Sequence, residues 1–455
     1  MLRRWAIAVG VAGCATPDPA AARAAWLRDT LVNDNRVFLS REPSAVAEKW
    51  AAMAAAPYDF LRGGLGVWLA DARRPDASRL PTSFLRVPDA TAVLVFGDAH
   101  PENLSTTRPA PSPGEPEPPV SVEIVDLDAA QFGPWLWDLR RAGAGVGVLF
   151  APLDADTRAS LTDALVDGWH QGFAAGDAKP TGVLLGGLVA EALDEGPENK
   201  RTAKYTLDTS GGPRLDRAAD PRLQRPDSRD WAFLESLLPA LDLPGGAVVH
   251  DVAARRGAGI SSLPALRYWV LIGPAGGPAT DILDLREVID PPAYPRALVP
   301  GPGWEGHPGR LAAAEGHLWS RPDADPHAQA LGAGGLVFKV LTRSSWQQDL
   351  DRADVEEALA SQDLDLDGAR GLATDLGRVL GAGHRRSILA DGRPAAPAIQ
   401  ADLDSGGGLE VLRAELRAVV AEDTATIAAD TRILSSLLHE YGPLLGAESL
   451  PTEAP

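Results

Sequence analysis

At 455 residues, 45% apolar and 23% charged, the chain is long enough to bury a large core and has the composition of an ordinary folded protein. A formal net charge of −19 with no long Lys/Arg run excludes nonspecific binding to nucleic acid or to anionic membrane surfaces, since both need clustered cations. A single cysteine, Cys14, excludes an intramolecular disulfide.

In chain order, Met1-Leu2-Arg3-Arg4-Trp5 is a basic start, Ala6 to Val11 a short apolar run, and Val11-Ala12-Gly13-Cys14 a small-residue site. Together they resemble a bacterial lipoprotein signal, cleaved before a cysteine that then carries lipid. The apolar run is far below the ~18 residues a spanning helix requires, so Cys14 is the expected lipid attachment and the only route to a membrane. The resemblance implies a bacterial cell-envelope protein with a signal over 1–13 and an Ala/Pro-rich tether over 14–24. With Cys14 spent on lipid, no Cys/His zinc site remains.

From Ala25 to Ala72 the apolar spacing predicts helix, with Trp26, Leu27, Leu31, Trp50 and Met53 facing inward and a break at Pro57-Tyr58-Asp59. Arg62, beside Gly63 and Gly64, either presents a donor fork to phosphate or staples the N-terminal helices to the core. Two β-type runs follow, Ala92 to Phe96 and Val120 to Val125, separated by a proline-rich stretch over 108–119. Pro134 to Phe150 and Asp154 to Phe173 read as helices, and 195–230 as a polar loop. Past Pro244-Gly245-Gly246 the period becomes two. Ala247 to Ala253, Leu266 to Ile272 and Ile282 to Val288 read as a three-strand meander with a glycine-bearing first turn. A short strand over Leu336 to Leu341 precedes helices at Asp354–Ser361, Gly368–His384 and Leu409–Leu438. In the last, Leu412, Leu416, Val419, Val420 and Ile427 form one buried stripe. Length suggests two or three domains or one bilobal unit. The expected divisions are a helical, loop-bearing part over 25–245, an antiparallel sheet part over 246–345 and a helical part over 346–455.

The β-type runs each end in acidic turns: Gly97-Asp98-Ala99-His100-Pro101-Glu102-Asn103, and Asp126-Leu127-Asp128. Strand ends commonly present chemistry because a rigid sheet fixes the loop side chains. Hard divalent cations prefer oxygen ligands, and Mg²⁺ typically takes one or two carboxylates plus ligand phosphates.

The Gly97 loop resembles the catalytic loop of aminoglycoside phosphotransferase-type kinases, Gly-Asp-x-His-Pro-x-Asn, and Asp126 falls where their metal-binding Asp lies. More closely, the chain resembles the uncharacterised bacterial family called domain of unknown function 2252. Its landmarks read here as Phe60-Leu61-Arg62-Gly63, the Gly97 loop, Asp126-Leu127-Asp128, Arg267-Tyr268 and Gly383-His384-Arg385-Arg386-Ser387. The kinase resemblance implies an α+β, kinase-like bilobal fold; because the sheet follows the catalytic loop, either the two halves are circularly permuted or the nucleotide is held differently. It implies that Asp98 orients an acceptor hydroxyl, that Asn103 and Asp126, assisted by Asp128, hold Mg²⁺, and that Asp138 holds the catalytic loop. Arg286, paired with Glu287, faces the phosphate of ATP or another donor, alongside Gly259, Ser262 and Arg62. The acceptor is an unnamed small molecule or protein.

Two departures accompany that resemblance. Of the family's Gly-x-Gly-Ser-Leu-Gly pattern, beginning at Gly259, two glycines are replaced by Ser261 and Pro264, and its Lys-Glu-Ala reads Arg286-Glu287-Val288. Glycines there let backbone amides approach phosphate, proline removes a donor, and arginine is not equivalent to lysine. A degenerate, pseudokinase-like relative is therefore part of the expectation. The alternatives are a non-catalytic envelope lipoprotein binding a ligand or partner in its cleft and, from Asp98-x-His100, a metallophosphoesterase. His100 otherwise packs in its loop with a backbone hydrogen bond. His384 either adds a cationic patch near the site or complements a helix C-terminus.

Overall fold

The computed structural model describes residues 18–72, 92–108, 118–288, 306–322, 325 and 327–447. It is a mixed α/β architecture in which antiparallel strands and helices segregate into a sheet part and a mainly helical part. Cys14 and the expected signal lie outside the described residues.

The N-terminal pattern resolves into five short helices, Pro19–Asp34, Arg36–Arg41, Pro43–Ala55, Pro57–Gly63 and Leu65–Ala72. Prolines set the starts: Pro19, Pro43 and Pro57 each occupy a first-turn position, where a missing N–H costs nothing. Pro57 therefore ends one helix and begins the next. Asp18 caps the first, its carboxylate accepting from Ala20 N at 3.0 Å, so helix begins within the segment expected as a tether.

Strand topology brings the two acidic turns together. Strand Ala92–Val95 pairs antiparallel with Gln131–Pro134, and Leu104–Thr107 pairs with Ser121–Ile124. The connector 96–103 thus runs from the first ribbon to the second, and 125–130 returns from the second to the first. The two connectors lie side by side, joined by the Val125 N–H donating to Asn103 O at 3.0 Å.

Beneath them pack the helices Leu136–Leu149, Ala155–Ala175, Leu366–Arg386 and the long Gly408–Tyr441. Ala155–Ala175 and Leu366–Arg386 approach until backbones touch. A Cβ at Gly377 would sit 2.1 Å from Leu165 O, and one at Gly168 would sit 2.0 Å from Thr374 O. Leu412, Leu416, Val419, Val420 and Ile427 are all buried.

The second part is a six-stranded antiparallel sheet. Its spatial order is Gln329–Ala333, Leu336–Thr342, Asp281–Val288, Arg267–Pro274, Ala247–Arg255 and Leu223–Gln224. The expected meander is its centre. Buried clusters lie on both faces, one around Tyr268, Val270, Leu285 and Phe338, the other around Trp269, Leu271 and Ile282. The stretch 195–230 is not simply loop. It holds a short helix Lys200–Lys204, a hairpin Thr206–Thr209/Gly212–Leu215, and helix Ser228–Leu237 with a capping box between Asp227 and Asp230. The hairpin is mostly exposed, which erases the apolar alternation that would reveal it.

Candidate functional site

Gly97 turns the chain into the first connector with φ of +83°, and a Cβ there would meet Ala129 O at 2.2 Å, so only glycine fits. The turn is fixed from below by Asp138, whose carboxylate accepts from Phe96 N and Gly97 N, both at 2.8 Å. Behind Asp138 stands His384. Its Nδ1 accepts from Trp169 Nε1 at 3.0 Å, which leaves the proton on Nε2 to donate to Asp138 at 2.9 Å. Fully buried, His384 is neither a cationic patch nor a dipole partner at the helix end; it is a core residue that orients Asp138.

So placed, Asp98 meets Arg141, whose Nε donates to Oδ1 at 2.8 Å while its Nη2 donates to Leu61 O at 2.7 Å. Burial and the nearby Asp126 raise the Asp98 carboxyl, and Arg141 offsets this only in part. His100 is buried beside it, with Nε2 3.8 Å from Asp98 Oδ2, too far for a hydrogen bond. Among the described residues its Nδ1 has no hydrogen-bond partner, so the expected backbone bond is not seen there. Burial, with Arg141 and Arg62 near, lowers its pKa well below the ordinary histidine value and keeps it neutral. Asn103 turns inward, its Nδ2 donating to Asp98 O at 2.7 Å, which ties the loop to itself.

The second connector opens onto the same space. Asp126 and Asp128 have side chains 40% and 32% exposed, and behind them lies Lys339, only 5% exposed. Its Nζ is 3.0 Å from Asp126 Oδ1 and 2.5 Å from Asp128 Oδ1. Burial raises the Asp126 carboxyl, but Lys339 and Arg286 outweigh it and hold the group below the usual carboxylate range. Asp128 moves the other way, raised by burial and by Asp126. Burial lowers the Lys339 ammonium, and the two carboxylates more than restore it.

Asp98, Asp126, Asp128, Ser261, Ser262 and Glu287 line one cleft of about 120 Å³, with the 256–266 turn of the sheet forming its opposite wall. Gly259 lies in that turn with φ of +79°. Successive strand residues point to opposite faces, so Arg286 and Glu287 do not pair as expected. Arg286 bonds Asp284, with Nε at 3.1 Å, and stands within electrostatic reach of Asp126 and Asp128. Glu287 accepts from Arg41 of the N-terminal helices at 2.7 Å and from Leu266 N at 2.9 Å. Arg62 forms an ion pair at 3.1 Å with Glu102, the stapling role.

Sequence reasoning missed Lys339, and a signal existed. The chain has five lysines, and this one interrupts the apolar run Val337-Phe338-Lys339-Val340. As a metal centre, the pair Asp126 and Asp128 fits Mg²⁺ in ligand type and in facing the cleft, whereas Asn103 is turned away onto its own loop. Among the described residues, no three His, Cys, Asp or Glu side chains are grouped to hold a metal.

The molecule is thus a mixed α/β protein with a carboxylate-lined cleft between helical elements and an antiparallel sheet. Residues 41–186 match the family described as "Uncharacterized protein conserved in bacteria (DUF2252)", so the family resemblance is shown over that stretch. The match covers both acidic connectors, Arg141 and the helices Leu136–Leu149 and Ala155–Ala175; the helices Leu366–Arg386 and Gly408–Tyr441 and the main sheet, with Ser262 and Lys339, lie beyond it. No curated protein and no solved structure matches. Among the described residues, no helix is long and apolar enough to cross a membrane.

Proposed function

We propose that the chain is a kinase-like phosphotransferase, its sheet serving as the phosphate-donor lobe and the paired connectors as the catalytic floor. The observation that carries this reading is the convergence of Asp98, Asp126 and Asp128 in one cleft facing a glycine-bearing turn. The order of parts also supports it: that turn joins the first two central strands, Arg286 lies on the third, and helix Gly306–Leu318 follows. Asp98, with Oδ1 committed to Arg141, keeps Oδ2 for orienting an acceptor hydroxyl. Asp126 and Asp128 hold the metal, which when bound neutralises charge on the donor phosphate oxygens. Lys339 and Arg286 supply the adjacent cations. The chain works at the bacterial envelope, tethered through Cys14; loss of labelled-palmitate incorporation in Cys14→Ser is the expected result.

A second reading has its own observation. Lys339 already places an ammonium between Asp126 and Asp128, which favours a non-catalytic cleft that binds its ligand without metal. Calorimetry with Mg²⁺, ATP and GTP on the parent and on Asp126→Asn separates the two. Nucleotide binding that requires Mg²⁺ and is lost in Asp126→Asn supports phosphotransfer. Metal-independent binding supports the second reading, and no binding of either removes the enzymatic one.

A further inference from the structure

The lining of the cleft also carries a polar cluster that phosphoryl transfer to a hydroxyl does not by itself use. Asp34, Asn35 and Lys49 come from the N-terminal helices and line the same cavity as Asp98, Asp126 and Asp128. Lys49 is 4% exposed and sits between Val46, Trp50 and Met53 on the buried face of helix Pro43–Ala55. Its Nζ donates to Asn35 Oδ1 at 3.0 Å, and Asn35 in turn donates to Leu31 O at 2.9 Å. An ammonium carries three donors, and among the described residues this one has a single acceptor.

Asp34 is the complement. Among the described residues its buried Oδ1 has no hydrogen-bond partner, and the carboxylate lies against Gly66, where a Cβ would approach Oδ1 to 2.1 Å. Gly66 therefore exists as space for Asp34. Burial pushes Asp34 up and Lys49 down, so each is strained by its surroundings and only partly relieved by the other. Leaving a buried donor or acceptor unpaired carries its full desolvation penalty, so both groups call for a partner, and the cleft they line is where a ligand would supply it. Phe38, Leu65 and Ala129 supply apolar surface alongside.

We propose that Asp34, Asn35 and Lys49 form the subsite that orients the acceptor, and that the acceptor is a small, neutral polyhydroxylated molecule; the proposal rests on the phosphotransferase reading of the cleft. A hydroxyl is the group that matches both orphans at once, accepting from Lys49 while donating to Asp34. A second hydroxyl of the same molecule then reaches Asp98 across the cleft. An anionic acceptor would satisfy Lys49 but meet Asp34, Asp98, Asp126 and Asp128 as like charges.

Saturation-transfer NMR and calorimetry on the whole chain with myo-inositol, D-glucose and ribitol test this. At least one of these probes binds, and Lys49→Met and Asp34→Asn each weaken it about ten- to a hundredfold, the worth of one hydrogen bond to a charged group. Asp34→Asn keeps the shape packed against Gly66, so it serves if Lys49→Met does not fold. The subsite is refuted if none of the three probes binds, or if a bound probe is held as tightly by both variants. Failure of Mg²⁺ and nucleotide to bind the parent strikes the phosphotransfer reading instead, and leaves a Lys49-dependent polyol site standing.

Discussion

Replacing Lys339 by Met keeps the length of the side chain and removes the charge. The ammonium lies behind two carboxylates at 3.0 and 2.5 Å, and Arg286 is a second cation within electrostatic reach of them. Removing one partner of a fully buried pair costs about 3–5 kcal/mol, because the other charge is left uncompensated. Here Asp126 and Asp128 are roughly a third exposed, so water screens part of the penalty and about 3 kcal/mol is expected at pH 7. The loss has a pH signature. Without Lys339 the folded-state pKa of the two carboxyls rises, so the destabilisation is largest above their folded values and shrinks as acid protonates them. If the proposed cation site is real there is a metal signature too: the vacated pair takes up a divalent cation, and millimolar Mg²⁺ or Mn²⁺ returns part of the loss by mass action. Urea unfolding of parent and Lys339→Met at pH 7 and pH 4.5, with EDTA or with Mg²⁺, reads all three. A loss below about 1 kcal/mol at pH 7 refutes the ion-pair account. A full loss that neither acid nor Mg²⁺ reverses refutes the idea that Asp126 and Asp128 form one cation site.

Burial raises the Glu315 carboxyl to about 7, only partly opposed by Lys339. A raised carboxyl binds its proton more tightly when folded, so its contribution is complete below the unfolded value near 4.5 and is lost as pH rises through 7. Glu315→Gln should flatten the fall in unfolding free energy between pH 5 and 8, which amounts to on the order of 3 kcal/mol; an unchanged slope assigns it elsewhere. Gly377→Ala places a Cβ 2.1 Å from Leu165 O and 2.7 Å from Trp169 N, forcing two helix backbones apart. Alanine gains about 1 kcal/mol of helix propensity, but overpacking costs about 3 here, so a net loss of stability is expected by thermal melting. A stabilised variant would show that this helix pair is not in backbone contact.

The convergence of the two acidic turns was legible in sequence because each sits at the end of an apolar β run. The ribbon pairing that joins them follows once Ala92–Val95 finds Gln131–Pro134. The central meander was legible for the same reason, and so was the apolar stripe of the last helix. What could not be read was everything decided by a partner distant in sequence. Arg286-Glu287 looks like a pair in the chain and is split by the pleat, Arg286 going to Asp284 and Glu287 to Arg41. His384 reads as a helix-end cation because Arg385 and Arg386 follow it. Gly383 beside it lets the helix close on the core: a Cβ there would strike Phe96 Cζ at 2.4 Å, and glycine leaves no trace in an apolar pattern. The Asp34–Asn35–Lys49 cluster left no signal in the sequence, because Lys49 on one helix meets Asn35 at the end of another and all three line a cleft that only the tertiary fold creates.

Charge within the sheet explains why neither part of the site stands alone. Arg267, Arg286 and Lys339 sit directly opposite one another on three adjacent strands. Like charges so placed destabilise a sheet. Asp284 compensates the first two from within the sheet, bonding Arg267 Nε at 2.7 Å and Arg286 Nη2 at 3.0 Å. Lys339 has no such partner in its own strand; its counter-charges come from the 125–130 connector of the other part. The buried lysine therefore couples the folding of the sheet to the placement of the acidic turn. An anion that draws Lys339 toward itself must loosen Asp126 and Asp128 at the same moment. On the phosphotransferase reading proposed above, those carboxylates then become available to a metal, so a nucleotide and Mg²⁺ bind with positive cooperativity; equal nucleotide affinity by calorimetry with and without Mg²⁺ would refute the coupling.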